Sequence, residues 1–171
     1  MELSTSEPTT ARFDALYRAT ATDVFAYAMT LLRDRAAAED VTAQTFERAY
    51  RRQSTFDARR GTQRAWLFGI ARHAALDELR RRRRTAALLA DPEDPTAPVP
   101  EDGEEAAVRR ATVRAALASL DARERELIAL KFHAGLSNGE IAKVLGISDA
   151  NAGTRLHRAV TRLRKACHAP S

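Results

Sequence analysis

Residues 136–159 read LSNGEIAKVLGISDANAGTRLHRA, and this stretch decides the fold. Ser137 followed three residues later by Glu140 is a capping box, in which each side chain accepts from the other residue's backbone amide and a helix begins. Ile141 and Leu145 give that helix a short apolar stripe, and Ala142 is small enough for a neighbour to approach closely. Gly146 supplies a turn, because a positive φ costs glycine little. Ser148 then caps a second helix. A short capped helix, a glycine turn and a second capped helix make the pattern of a helix-turn-helix.

The second helix has two distinct stripes. At about 100° per residue, Ala152, Leu156, Ala159 and Leu163 fall together and would seat it on its bundle. Asn151, Arg155, Arg158 and Arg162 fall roughly 100° around from them. Near the helix start, Asn151, Thr154 and Arg155 are placed to reach base edges of DNA. Arg158 and Arg162, further along, suit phosphates. The competing reading is an ordinary amphipathic helix with arginines on its wet face; the two caps around the glycine turn weigh against it. Gly153 is unusual inside a helix, at about 1 kcal/mol against alanine. It either allows close backbone approach to DNA or is tolerated.

Upstream, Asp121 and Glu124 form another capping box, and the helix they open buries Leu127, Ile128 and Leu130. A further helix covers about 104–118. Before it the chain changes character. Residues 91–107 hold seven acidic groups and no basic one, and Pro92, Pro95, Pro98 and Pro100 lie among them. Proline lacks the amide and clashes with the preceding turn, so residues 91–103 read as a mobile, partly extended linker. Residues 1–90 carry 16 basic and 11 acidic groups, and residues 108–171 carry 12 basic and 5 acidic groups. Two basic modules thus flank an acidic strap.

The N-terminal module is also helical by pattern. Phe13, Leu16, Tyr17, Val24, Tyr27, Ala28 and Leu31 recur at helical spacings over about 10–32. A second helix runs over about 36–52, with Val41, Thr45 and Ala49 on its buried side. Asp40, Gln44, Glu47 and Arg51 make one polar stripe on it, which by spacing alone is a solvated face. A third helix starts near Thr62 and runs into Arg80–Arg84, five arginines that go right round the helix. Consecutive like charges need water or an anionic partner, and a DNA backbone is one such partner; a solvated helix end is the alternative. Between the second and third helices, Phe56, Arg59 and Arg60 sit in one loop. An aromatic beside arginines is able to hold an unstacked base, although Phe56 equally suits a core anchor.

The 171 residues suffice for one ordinary domain or two small ones. No signal-peptide pattern opens the chain and no apolar run approaches a membrane span, so the expectation is a cytoplasmic protein without membrane insertion. Cys167 is the single cysteine, which rules out an intramolecular disulfide. His73, His133, His157 and His168 are scattered without ligand spacing, and no glycine-rich phosphate loop is present. No catalytic set, metal site or cofactor is expected.

The segments 38–46 and 66–72, Asp77 with the arginine run, and residues 141–159 together resemble the extracytoplasmic-function (ECF) sigma factors of bacterial RNA polymerase, in the same order and spacing over about 13–165. The resemblance implies an all-α fold of two small bundles. It places a region 2-like domain at 10–87, a linker at 88–105 and a region 4-like helix-turn-helix domain at 106–168. It implies that Asp40, Gln44, Phe46 and Glu47 bind the β′ clamp helices of the polymerase core. It implies −10 recognition and melting by Phe56, Arg59, Arg60, Arg64, Trp66, Arg72, His73, Asp77, Arg80, Arg81 and Arg84. Asn151, Thr154, Arg155, Arg158 and Arg162 would read the −35 element, and the second domain would touch the β flap. Partners are then core polymerase, promoter DNA and an anti-sigma factor. The chain departs from the family's common pattern at Ala43 and Gln44, at His73, where asparagine is common, and at Ala152 and Gly153, where valine and lysine are. The resemblance is to members without a long C-terminal extension, so an extra regulatory domain is not expected. The runner-up function is a stand-alone helix-turn-helix repressor or activator; an N-terminal module with a core-binding helix and an arginine-flanked melting helix has no use there. An enzyme acting on nucleic acid is a third class, without a visible metal or nucleophile site.

Overall fold

The computed structural model describes residues 7–88 and 103–169. Among these residues there are seven α-helices and no strand. They are α1 (Glu7–Leu32), α2 (Arg35–Arg52), α3 (Gln63–Leu88), α4 (Glu104–Ala118), α5 (Ala122–Phe132), α6 (Asn138–Leu145) and α7 (Asp149–His168), with a short 3₁₀ turn at Gln53–Thr55. The expected mobile linker falls largely on 89–102, outside the described residues.

Helices α1, α2 and α3 make the first bundle. The α1–α2 turn needs Arg33 at φ 56°, an uncommon conformation for a residue with a side chain. Asp34 follows and caps α2 by accepting from the Ala37 amide at 3.0 Å. Arg82 of α3 braces this turn: it donates to Asp34 at 2.8 Å, to the Leu32 carbonyl at 3.2 Å and to Glu78 at 3.0 Å. One member of the arginine run is therefore a structural strut. The backbone amide of Ala37 and the Arg82 guanidinium hold the Asp34 carboxyl below its usual range. Val41, Thr45 and Ala49 are buried, and the Thr45 hydroxyl is satisfied by the Val41 carbonyl.

Two expectations for this bundle need correction. Tyr17 shares the apolar spacing of α1 yet is 49 % exposed, because it lies at the rim of the α1–α2 contact. Phe46, expected to be a polymerase contact, is 6 % exposed. Its ring packs edge-on against Tyr17 at 4.7 Å and Phe13 at 6.3 Å, so it supports the α2 surface from beneath.

The second bundle comprises α4, α5, α6 and α7. Both capping boxes form with both hydrogen bonds, at Asp121/Glu124 and at Ser137/Glu140. Gly146 has φ 67° and Ser148 caps α7. Ala152, Leu156 and Ala159 are buried, as the stripe requires. A Cβ at Gly153 would meet the Asn138 side chain at 3.6 Å, an ordinary contact, so packing does not demand glycine there.

The bundles share a core. Leu127, Leu130, Ala134, Leu136 and Ile141 of the second belong to one continuous buried cluster with Leu16, Val24, Tyr27, Leu67 and Phe68 of the first. Helix α5 explains why. Glu126, Leu127, Ile128, Ala129 and Leu130 are all buried, so it is covered on every side, by α7 of its own bundle and by α1 of the other.

Removing a capping hydroxyl typically costs about 1 kcal/mol. Ser137→Ala should lower the stability of the chain by about that amount in urea denaturation, without moving the α7 surface.

Candidate nucleic-acid interface

Three surfaces collect the polar residues singled out in the sequence. The first is the outer face of α7. Thr154, Arg155, Arg158 and Arg162 are exposed and Asn151 is half-buried. The Ser148 cap fixes the start of α7, while its apolar stripe fixes the rotation, so these side chains project together. Arg162 donates to Glu124 at 2.8 Å across a groove between α7 and the start of α5. Glu124 also accepts from the Asp121 amide, so the α5 cap and the α7 face are tied to each other. Arg123, His157 and Thr161 line the same groove.

The second surface runs from the 56–62 loop along α3. Phe56 stacks obliquely on Trp66, with ring centroids 5.6 Å apart, and both are half-buried. Together with Phe13, Gln53, Ser54 and Gln63 they line a cleft at the edge of the bundle. Arg59 and Arg60 are exposed, and Arg59 pairs with Asp57. The Arg59 amide and guanidinium keep the Asp57 carboxyl below its usual range. Further along α3, His73 is exposed and pairs through Nδ1 with the Gly69 carbonyl. Asp77 bridges Arg48 of α2 and Arg80, while Arg81 grips Glu78. Arg84 is exposed and has no ion pair among the described residues.

Two members of this set are occupied by the other bundle. Arg72 donates from Nε to Glu126 of α5 at 2.6 Å, and this pair is largely shielded, with side chains 23 % and 11 % exposed. The Tyr27 hydroxyl, fully buried, donates to the same Glu126 oxygen at 3.3 Å. Burial and the adjacent carboxylate push the Tyr27 hydroxyl well above its usual range, so it stays protonated and donates. Arg64 donates to Asp23, to the His133 carbonyl at 3.1 Å and to the Ala134 carbonyl, with its guanidinium over the Phe68 ring at 5.4 Å. The two carbonyls lie at the cap of α5 and just past it, where the helix dipole favours a cation. At the edge of the same contact, Thr62 bonds Glu140 and Lys143 reaches the Arg60 carbonyl at 3.4 Å.

The third surface is on α2. Asp40, Gln44, Glu47 and Arg51 are exposed along one stripe. Beside it lie Tyr17 and Tyr50, each about half exposed; the Tyr50 ring meets Phe13 at 5.1 Å. Half-exposed aromatics are common at protein-binding surfaces, and here they edge a polar stripe.

Sequence reading missed Glu126, Asp23 and Tyr27 as a polar set. The signal for Glu126 was present: a carboxylate at the head of an apolar run with no helical period. Among the described residues no cluster of His, Cys, Asp and Glu is placed to hold a metal, and no helix is long and apolar enough to cross a membrane.

Comparison with known proteins shows the family. Residues 16–85 match the family model for sigma-70 region 2, and residues 110–163 match that for sigma-70 region 4. The ECF RNA polymerase sigma factor SigL of Mycobacterium tuberculosis is 36 % identical over 152 residues, spanning 88 % of this chain and 85 % of that protein. SigX of Bacillus subtilis, another ECF RNA polymerase sigma factor, is 29 % identical over 160 residues, 90 % of this chain and 82 % of that one. In structure, the chain resembles the sigma factor RpoE of Bartonella quintana, solved with the anti-sigma factor NepR. The TM-score is 0.77 at 23 % identity, covering 94 % of this chain and 99 % of the other, a likeness of fold. It also resembles CnrH, solved with the cytosolic domain of CnrY, at TM-score 0.69 and 26 % identity over 95 % and 91 % of the two chains.

Proposed function

The chain belongs to the ECF group of RNA polymerase sigma factors, and from that premise we propose how its surfaces divide the work of directing promoter-specific initiation. The observation that carries the division is the outward face of α7: a capped recognition helix of a helix-turn-helix with Asn151, Thr154, Arg155, Arg158 and Arg162 in one row. The second bundle, 106–168, reads the −35 element as duplex through this row. Arg155 is near enough to the helix start to reach a base edge, and Arg158 and Arg162 take phosphates.

The first bundle, 10–87, handles the −10 element. The Phe56–Trp66 cleft offers a stacking surface for an unpaired base, Arg59 and Arg60 supply donors in the adjoining loop, and Arg64 and Arg72 supply donors elsewhere on α3. Arg80, Arg81 and Arg84 follow the backbone. The Asp40/Gln44/Glu47 stripe with the half-exposed Tyr17 and Tyr50 docks on the β′ clamp helices; Phe46 shapes this surface without touching the partner. The second bundle also meets the β flap. The segment 88–105 connects the bundles.

Geometry requires them to part. Promoter elements centred near −35 and −10 lie about 25 base pairs apart, or about 85 Å at 3.4 Å per pair. A closed body of this length has a radius of gyration of only about 16 Å. Residues 89–102 extend to at most about 50 Å, which together with the widths of the bundles covers the span. Like the sigma factor RpoE, solved with the anti-sigma factor NepR, this chain is a candidate for an anti-sigma partner. It works in the cytoplasm with the polymerase, and supplies specificity to an enzyme without performing chemistry itself.

Run-off transcription with purified core polymerase tests the function. Added chain should give initiation from a cognate promoter; tight solo binding to duplex DNA with no added initiation would point instead to a repressor. Asp40→Lys with Glu47→Lys should weaken core association in a binding titration while both bundles stay folded, and wild-type affinity would remove the α2 assignment. Arg155→Ala should weaken −35 recognition by about 1–3 kcal/mol, and an unchanged promoter preference would remove its base contact.

A further inference from the structure

We propose that His73 selects one paired base of the −10 element as a hydrogen-bond acceptor: from the edge of a notch left by Gly69 on the outside of α3, it bonds an exocyclic amine and turns away a carbonyl. This rests on the assignment of α3 to the −10 element.

The ring is fixed from behind. His73 Nδ1 lies 2.8 Å from the Gly69 carbonyl, one turn earlier on α3. A carbonyl oxygen only accepts, so Nδ1 carries the proton, and in the neutral ring Nε2 is then a bare acceptor. The side chain is exposed, which leaves Nε2 as the atom offered to a partner. At the major-groove edge of a base pair, adenine and cytosine present an amine, whereas guanine and thymine present a carbonyl oxygen. An acceptor set against a carbonyl leaves two acceptors desolvated and unbonded. His73 therefore discriminates by what it is unable to bond as well as by what it bonds.

Gly69 has no reason within the protein to be glycine. It sits inside a helix, where glycine is the poorest former after proline. A Cβ there would meet no atom within 4 Å beyond its own stretch of helix. The missing side chain leaves a gap one turn from His73, in which a base edge comes close to the helix. At about 100° per residue, Trp66, Gly69, His73, Asp77, Arg80 and Arg84 fall within about 80° of one another. The stripe runs from the stacking cleft at Trp66 to the arginines, with His73 in its middle. Its one carboxylate, Asp77, is held between Arg48 and Arg80, at 3.4 Å from each, so no bare negative charge stands beside the histidine.

Holoenzyme made with core polymerase tests this on a cognate promoter whose −10 positions are changed one at a time. Wild type should favour adenine or cytosine over guanine and thymine at one position, by several-fold in initiation. His73→Phe keeps a flat ring without nitrogen and should lose that preference alone. At the same position an analogue without the amine, purine for adenine or 2-pyrimidinone for cytosine, should weaken wild type several-fold more than H73F. His73→Asn offers both a donor and an acceptor and should take amine and carbonyl bases alike. Gly69→Leu fills the notch: its melting temperature should not fall, while initiation weakens. An H73F holoenzyme that keeps every wild-type preference, or a governed position that favours guanine or thymine, overturns the acceptor role. A G69L chain as active as wild type overturns the notch. Should circular dichroism show H73F unfolded, H73N decides: a chain as selective as wild type at every position overturns the proposal. Failure of the sigma-factor reading looks different, as no initiation by wild type at any promoter, and removes the proposal with it.

Discussion

The buried meeting of Arg72 and Glu126, with the Tyr27 hydroxyl on the same carboxylate, organises how the two halves of this chain sit together. Removing charges from water costs several kcal/mol per ion unless geometry and hydrogen bonds compensate. Here the carboxylate has two donors, and the surrounding cluster of leucines, Phe68 and Ile141 keeps water out. Such a pair contributes little to net stability compared with apolar groups of the same shape, but it fixes which surfaces face each other. It makes α5 a central helix, shared by both bundles.

From that arrangement follows the accessibility of the rest. The α7 row and the α2 stripe point outward. Arg64 and Arg72 of α3 point inward, the first toward the C-terminal end of α5 and the second toward Glu126. A protein that must touch DNA at two distant places while gripping a polymerase gains order from this layout, because it cannot engage both elements until the bundles separate.

Much of this was legible in the sequence, and the reason is range. Caps act over three residues, so Asp121/Glu124, Ser137/Glu140 and Ser148 announced their helices, and Gly146 announced the turn between two of them. The apolar stripe of α7 fixed its exposed face as well. What stayed hidden acts over long range: Arg72 and Glu126 are 54 residues apart, and Tyr27 and Glu126 are 99 apart. Nothing local says that they meet. Arg82 was hidden differently, as one of five identical neighbours of which it alone turns inward to brace the α1–α2 turn. Phe46 and Tyr17 were exchanged between surface and core because helical spacing locates a face but not its rim.

The central claim is that one chain passes from a closed body to a form that spans a promoter. The most direct measurement is the distance between the bundles, read by fluorescence energy transfer between a dye on the native thiol Cys167 of α7 and one on a cysteine placed at the exposed Ala19 of α1. In the free chain the transfer should be efficient, as for sites within one compact body. On adding core polymerase and promoter DNA it should fall nearly to zero, as for bundles seated about 85 Å apart. Transfer that is already low in the free chain, or that stays high in the transcribing complex, would contradict it.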